Sequence, residues 1–303
     1  SPTGRVSSKA RRGQRGRLRG GLLALAVVLA GIAVWWAVEW PGSSGGQALY
    51  QFNTQDFHSL AFDPASADTL YFGHHQGLKV SRDGGKTWSD TDLTGADAMA
   101  LAFPGGGDRR YIAGHNVFFV STDRGKNWQP QRNNLPDLDL HGFAASPSDP
   151  NRLYTYAVGI GGLFTSGDGG ATWEVRALPP GMATGMLPLA VAPDDPLGVY
   201  AAAGNQVVES RDGGKTWQGQ SGPSSAVSAI AAAPANPGVL YAGTADGIWK
   251  RATGGGWLRL PVTPHGPVLA VAVSATQPER VAIVDVEGYF FRSDDGGQSW
   301  IRG

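Results

Sequence analysis

The pattern Ser-x-Asp-x-Gly-x-x-Trp recurs along this chain, and a repeat at a fixed period constrains a fold more tightly than any local preference. It falls at Ser81, Asp83, Gly85 and Trp88, then at Ser121, Asp123, Gly125 and Trp128. It returns at Ser166, Asp168, Gly170 and Trp173, at Ser210, Asp212, Gly214 and Trp217, and at Ser293, Asp295, Gly297 and Trp300. A worn copy over 250–257 keeps only Gly254 and Trp257. The six tryptophans stand 40, 45, 44, 40 and 43 residues apart. Asp and Ser side chains bond backbone N–H groups two residues on, and glycine accepts positive φ, so the octapeptide is a tied-down turn. The indole packs a large apolar ring beneath it. This is stabilisation of a turn and carries no chemistry.

Each unit has the same internal plan. An alternating apolar segment such as Ser59–Phe62 is followed by a turn and a second strand marked by Tyr71, Tyr111, Tyr154, Tyr200 or Tyr241. A third strand runs into the octapeptide, and the tryptophan opens a fourth. Four short strands in about 40–45 residues are one blade of a β-propeller, so the expected fold is all-β, a six-bladed propeller over 48–303. The last unit reaches Gly303 three residues after its tryptophan, too short for an outer strand. Ala48–Phe52 is expected to supply that strand and close the ring, which removes exposed sheet edges.

Ahead of the propeller the composition changes. Residues 1–19 carry seven basic groups and no acid, leaving 18 basic and 25 acidic groups, a net charge of −7, for the remainder. An acidic globular part argues against a nucleic-acid partner. Gly20–Val38 is a run of 19 uncharged residues, enough at ~1.5 Å per residue to cross most of a ~30 Å hydrocarbon core. We expect a transmembrane helix over 20–40, with Trp35, Trp36 and Trp40 at the far interface and the basic arm holding the N-terminus in the cytoplasm. The propeller is then on the periplasmic or extracellular side. A cleaved signal peptide ending near Gly31-Ile32-Ala33 is the rival reading. The linker 41–47 reaches ~23 Å at most, which would turn the octapeptide face toward the membrane. The chain has no cysteine, which excludes disulfides, thiolate metal sites and a cysteine nucleophile.

Over 48–303 the repeats resemble the Asp-box (BNR) proteins, which include sialidases, xyloglucan-type glycosidases, sortilin-like receptors and the photosystem II assembly and stability factor. Asp139–Pro147 and Asp149–Tyr154 are similar to small bacterial BNR-repeat proteins labelled glycosylhydrolase-like. The resemblance is specific for fold and weakly specific for function. It implies either a glycosidase or a non-catalytic module. A sialidase of this kind would need converging arginines, a Tyr/Glu pair and an Arg-Ile-Pro motif, and that motif is absent. Sugar hydrolysis needs two facing carboxylates. Of the five glutamates, only Glu287, near Asp285, falls in a loop of the face away from the boxes, so no pair stands out. The expectation is therefore a binding, scaffold or assembly subunit of an integral membrane complex that requires no cofactor. The alternatives are a degenerate glycoside hydrolase or sugar binder, and a copper-binding protein.

The copper alternative comes from aligning the units. His58, Met99, His141 and Leu187 share one position at the start of the inner strand, with Met186 adjacent. His74, His75 and His115 fall in loops after second strands, His265 precedes the sixth blade, and Met182 maps to the same face. Imidazole with thioether suits copper. Blades one and three are nonetheless expected to stand too far apart for His58 and His141 to share an ion. Arg109-Arg110 is expected to be solvated loop surface.

Overall fold

The computed structural model describes residues 47–303 apart from Gln55, Gly106, Ala183, Thr184 and Gln220. The basic arm, the 20–40 segment with Trp35, Trp36 and Trp40, and residues 41–46 of the linker lie outside the described residues. Among those described, no helix is long and apolar enough to cross a membrane. The described residues form one compact unit.

That unit is a six-bladed propeller of four-stranded antiparallel sheets. Blade one sets the pattern: inner strand Phe57–Asp63, then Ser66–His74, Gly77–Ser81 and the outer strand Ser89–Thr94. Second strands such as Leu153–Ala157, Val199–Ala203 and Leu240–Thr244 are buried at every residue, because both of their faces pack against neighbouring blades. The core therefore lies between blades. Leu70 and Phe72 of blade one pack with Val284 and Phe290 of blade six, and Tyr111 and Phe118 of blade two pack with Phe143 and Trp173 of blade three. Outer strands are short and exposed, as at Gln129–Pro130 and Gln218–Gly219, which limits the edge offered to another chain.

The ring closes as the sequence implies. Tyr50–Gln51 pairs antiparallel with Tyr289–Ser293, with Tyr50 opposite Phe290 and Gln51 opposite Tyr289, and completes the sixth sheet. Phe52 donates its N–H to Gly288 O and stacks on Phe72 of blade one at 3.8 Å. Two buried arginines of blade six reach across the same seam. Arg280 donates to Ala67 O and Asp68 and is anchored by Asp294, while Arg292 donates to Gly84 O.

Each complete octapeptide is a hydrogen-bonded hub. In blade three the Ser166 hydroxyl accepts the N–H of Gly170 at 2.9 Å and donates to Asp168 at 2.8 Å. Asp168 in turn accepts the N–H and hydroxyl of Thr172. Thr87, Asn127, Thr216 and Ser299 make the same side-chain bond in the other copies, so the residue before each tryptophan is part of the motif. Gly85, at φ 92°, could carry no side chain, because a Cβ would lie 2.2 Å from the Phe290 ring. In blade five, Arg251 replaces the serine and stacks over the rings of Tyr200 and Trp257.

The structure corrects one expectation about charge. Arg110 is only 2% exposed and pairs with Asp63 of blade one. It faces Ser121 across its sheet, as Leu70 faces Ser81 and Leu153 faces Ser166. It thus fills an apolar position of the repeat and carries its charge to the blade one partner. Arg109 is bound to Asn151.

Candidate functional site

The face opposite the octapeptides carries the hairpin turns between second and third strands and the connections into each inner strand. There the inner strands of blades one, three, five and six each begin with a β-bulge. The register skips one residue at each bulge, namely His58, His141, Ser228 and Leu269. A bulge re-aims its extra side chain, and all four line the mouth of the central channel together with Met99. The shared position of His58 and His141 in the aligned repeats thus has a backbone cause, while Met99 precedes an inner strand that pairs without a bulge.

Two aspartates that sequence reasoning passed over complete the arrangement. Asp97 Oδ1 lies 3.5 Å from His58 Nε2, and its Oδ2 lies 3.3 Å from His75 Nδ1 and 2.6 Å from His115 Nδ1. The 2.6 Å contact assigns the proton to His115 Nδ1, which donates to the carboxylate. His115 Nε2 is then 2.8 Å from His141 Nε2 and 3.3 Å from Asp139 Oδ1, and His141 Nε2 is 2.9 Å from the same oxygen. The result is a continuous wall of imidazoles and carboxylates across blades one to three. Two groups of three could hold a metal ion, His58 with His75 and Asp97, and His115 with Asp139 and His141. Asp97 and His115, on the blade two side, link His58 to His141. A signal for the missed residues existed: Asp56, Asp97 and Asp139 all stand two residues before the aligned position.

Electrostatics divides the wall. Burial lowers the His58 pKa below its ordinary 6.5, against the pull of Asp97, so this imidazole is neutral near pH 7. Asp97 Oδ1 and His58 Nε2 are shielded from solvent and neither has a hydrogen-bond partner.

Other candidates fall elsewhere. His74 ends its strand and receives the N–H of Gln76 within its own hairpin. His265 stacks on Tyr289 at 3.8 Å, beside Asp285. Asp285 is fully buried and accepts the backbone N–H groups of His265, Glu287 and Tyr289, which leaves it no free face for catalysis beside the exposed Glu287. Met182 packs into the core between blades three and four. Met99 and Met186 line a funnel of about 780 Å³ with His58, His141, Pro188, Leu269 and Val286.

The arrangement can be set beside known proteins. Residues 79–90 and 119–130 match the BNR/Asp-box repeat. No curated protein matches the chain. Among solved structures, YCF48 bound to D1 peptide is similar with a TM-score of 0.52 and 20% identity, over 83% of this chain and 82% of that one. YCF48 from Cyanidioschyzon merolae gives 0.52 and 20%, over 84% and 87%. The GH74 xyloglucanase from Xanthomonas campestris gives 0.54 and 18%, over 84% of this chain but 46% of its own length. At such identities the likeness is one of fold. The chain carries BNR/Asp-box repeats and folds as a six-bladed β-propeller.

Proposed function

We propose that this protein is a non-catalytic binding subunit of an integral membrane complex. In this reading the 20–40 segment anchors it, the propeller is outside the cytoplasm, and the face opposite the octapeptides takes a segment of a partner protein. The observation that carries the reading is the funnel of about 780 Å³, whose rim exposes Met186 (54%) and Val286 (39%). Phe57, Met99, Pro188, Val227 and Leu269 line it, so most of its wall is apolar. A concave apolar surface with a few placed polar groups suits a side chain or short segment of a partner. Loops on a closed ring present that surface rigidly, which lowers the ordering cost of binding. The solved YCF48 complex, in which a propeller is bound to D1 peptide, supports this choice of partner class.

Sugar hydrolysis fits less well. Asp97 and Asp139 do face one another, but the His115 ring lies between them and bonds to Asp97. A glycosidic bond has no place there.

The test is to extract the full chain from its native membrane in mild detergent and weigh its companions. Stoichiometric co-purification with membrane proteins is expected, with loss on Met186→Arg and retention on Leu258→Arg, a change on an outer strand. A chain that runs alone would end the proposal.

A further inference from the structure

We propose that His58, His75 and Asp97 form a binding site for a divalent, zinc-type cation on the wall of the funnel. This goes beyond partner binding and stands or falls without it. The three donors come from separate segments: the bulge of the inner strand, the hairpin turn of the same blade, and the connection into blade two. The strand pairing fixes the bulge, and the connection is tied to the end of the hairpin strand by the Ala98 N–H to His74 O.

The unsatisfied atoms make the case. Asp97 Oδ1 and His58 Nε2 face one another at 3.5 Å, both shielded from water and without hydrogen-bond partners. Buried polar atoms are nearly always satisfied, so such a pair asks for an explanation. A cation between them satisfies both. Metal–nitrogen and metal–oxygen bonds near 2.1 Å put neighbouring tetrahedral donors about 3.3–3.5 Å apart. His58 Nε2 stands 3.5 Å from Asp97 Oδ1, which matches that spacing, His75 Nδ1 stands 3.3 Å from Oδ2 of the same carboxylate, and the ligand atoms of all three residues lie within 4.8 Å of one another.

The neighbouring triad is different. Its closest separations, 2.8 and 2.9 Å, are hydrogen-bond distances, and its atoms already have partners. Its contribution is to aim the site. His115 Nδ1–H holds Asp97 Oδ2 at 2.6 Å, the kind of outer bond that orients a ligating carboxylate. His75 is half exposed, so a fourth coordination position opens toward solvent. Two imidazoles and a carboxylate select a first-row divalent ion, and copper(II) would enter the same donors more tightly than zinc.

The experiment uses the full chain in mild detergent, stripped with a chelator and titrated with Zn²⁺ alone against a chromogenic competitor. One Zn²⁺ per chain is expected. His58→Gln and Asp97→Asn should each weaken binding at least about tenfold, and His115→Gln about tenfold through the lost outer bond. His75→Gln, on an exposed turn that cannot unfold the ring, should also weaken it at least about tenfold. His74→Gln should leave it unchanged. No bound zinc, or an affinity indifferent to His58→Gln, His75→Gln and Asp97→Asn, would overturn the site. So would a loss on Asp139→Asn with none on His75→Gln, which would move the ion to the neighbouring triad.

Discussion

At the scale of single residues, hydrogen bonds and burial set the charge states. The amide N–H of Asn127, then its side chain, draws the pKa of Asp123 from 3.8 down to about 2. The Thr172 hydroxyl and then its N–H do the same for Asp168. Asp83 and Asp295 reach about 2 despite opposing desolvation, and Asp212 is also lowered. In each case the unfolded chain takes up a proton before the folded one does. The stability these carboxylates supply is therefore full above pH 3.8 and is lost as pH falls toward 2. His58 and His74 have the same sign, because burial lowers both below 6.5. Their contribution is full above 6.5 and declines on acidification. Asp285, raised by burial, runs the other way but stands alone against five box aspartates. Urea midpoints measured with a chelator present should therefore hold steady above 6.5 and fall in two stages, below 6.5 and again below 3.8. A midpoint that rises between pH 7 and 5 would show that the buried imidazoles gain protons on folding, contrary to this account.

At the scale of strands and turns, contacts between blades decide how the repeats lock. Tyr111 donates its hydroxyl to Pro150 O and Tyr154 to Pro196 O, each in the next blade. This gives tyrosine its place on the second strands of blades two and three. The period made tyrosine and the octapeptide legible in the sequence. Arg110 was misread because a charged pair reads as surface, although its alignment with Leu70 and Leu153 marks an interior position. The histidine wall was half legible. Periodicity pointed to His58 and His141, and Asp97 and Asp139 share that period two residues earlier, but aspartate before a strand is ordinary turn chemistry, so nothing in the sequence tied them to the imidazoles. Nor could the sequence separate His74 from His75, since only the hairpin register puts one on the strand end and the other in the turn. At the blade six seam, Arg280→Ala removes donors to Ala67 O, Asp68 and Asp294. Asp68 and Asp294 are 64% and 40% exposed and can be rehydrated. The expected loss is about 1–3 kcal/mol, read from the urea midpoint. A loss below about 0.5 kcal/mol, the level of an ordinary surface change, would show that the seam does not depend on this residue.

For the molecule as a whole, the question is whether the blades act as a ring or as an open array. In an open array each unit answers only to its neighbours, and stability is roughly a sum over units and interfaces. Closure adds a sixth interface, so weakening any one seam should be felt by all the blades. Phe52 is where this can be tested. Its backbone pairs with blade six, while its ring stacks on Phe72 and meets Trp88 edge-on at 4.9 Å in blade one. It is 3% exposed, so Phe52→Ala should cost about 3–5 kcal/mol. For a domain of this size that corresponds to roughly 10 °C in Tm. If the ring is the cooperative unit, near-ultraviolet and far-ultraviolet circular dichroism should still fall together in one transition. Companions held at the opposite face should be lost from the variant at the same lowered temperature, because the funnel is shaped by all six blades. Two separated transitions, with blades one and six melting first, would mean that the chain behaves as an open array. The funnel's rigidity would then have to come from individual blades rather than from closure.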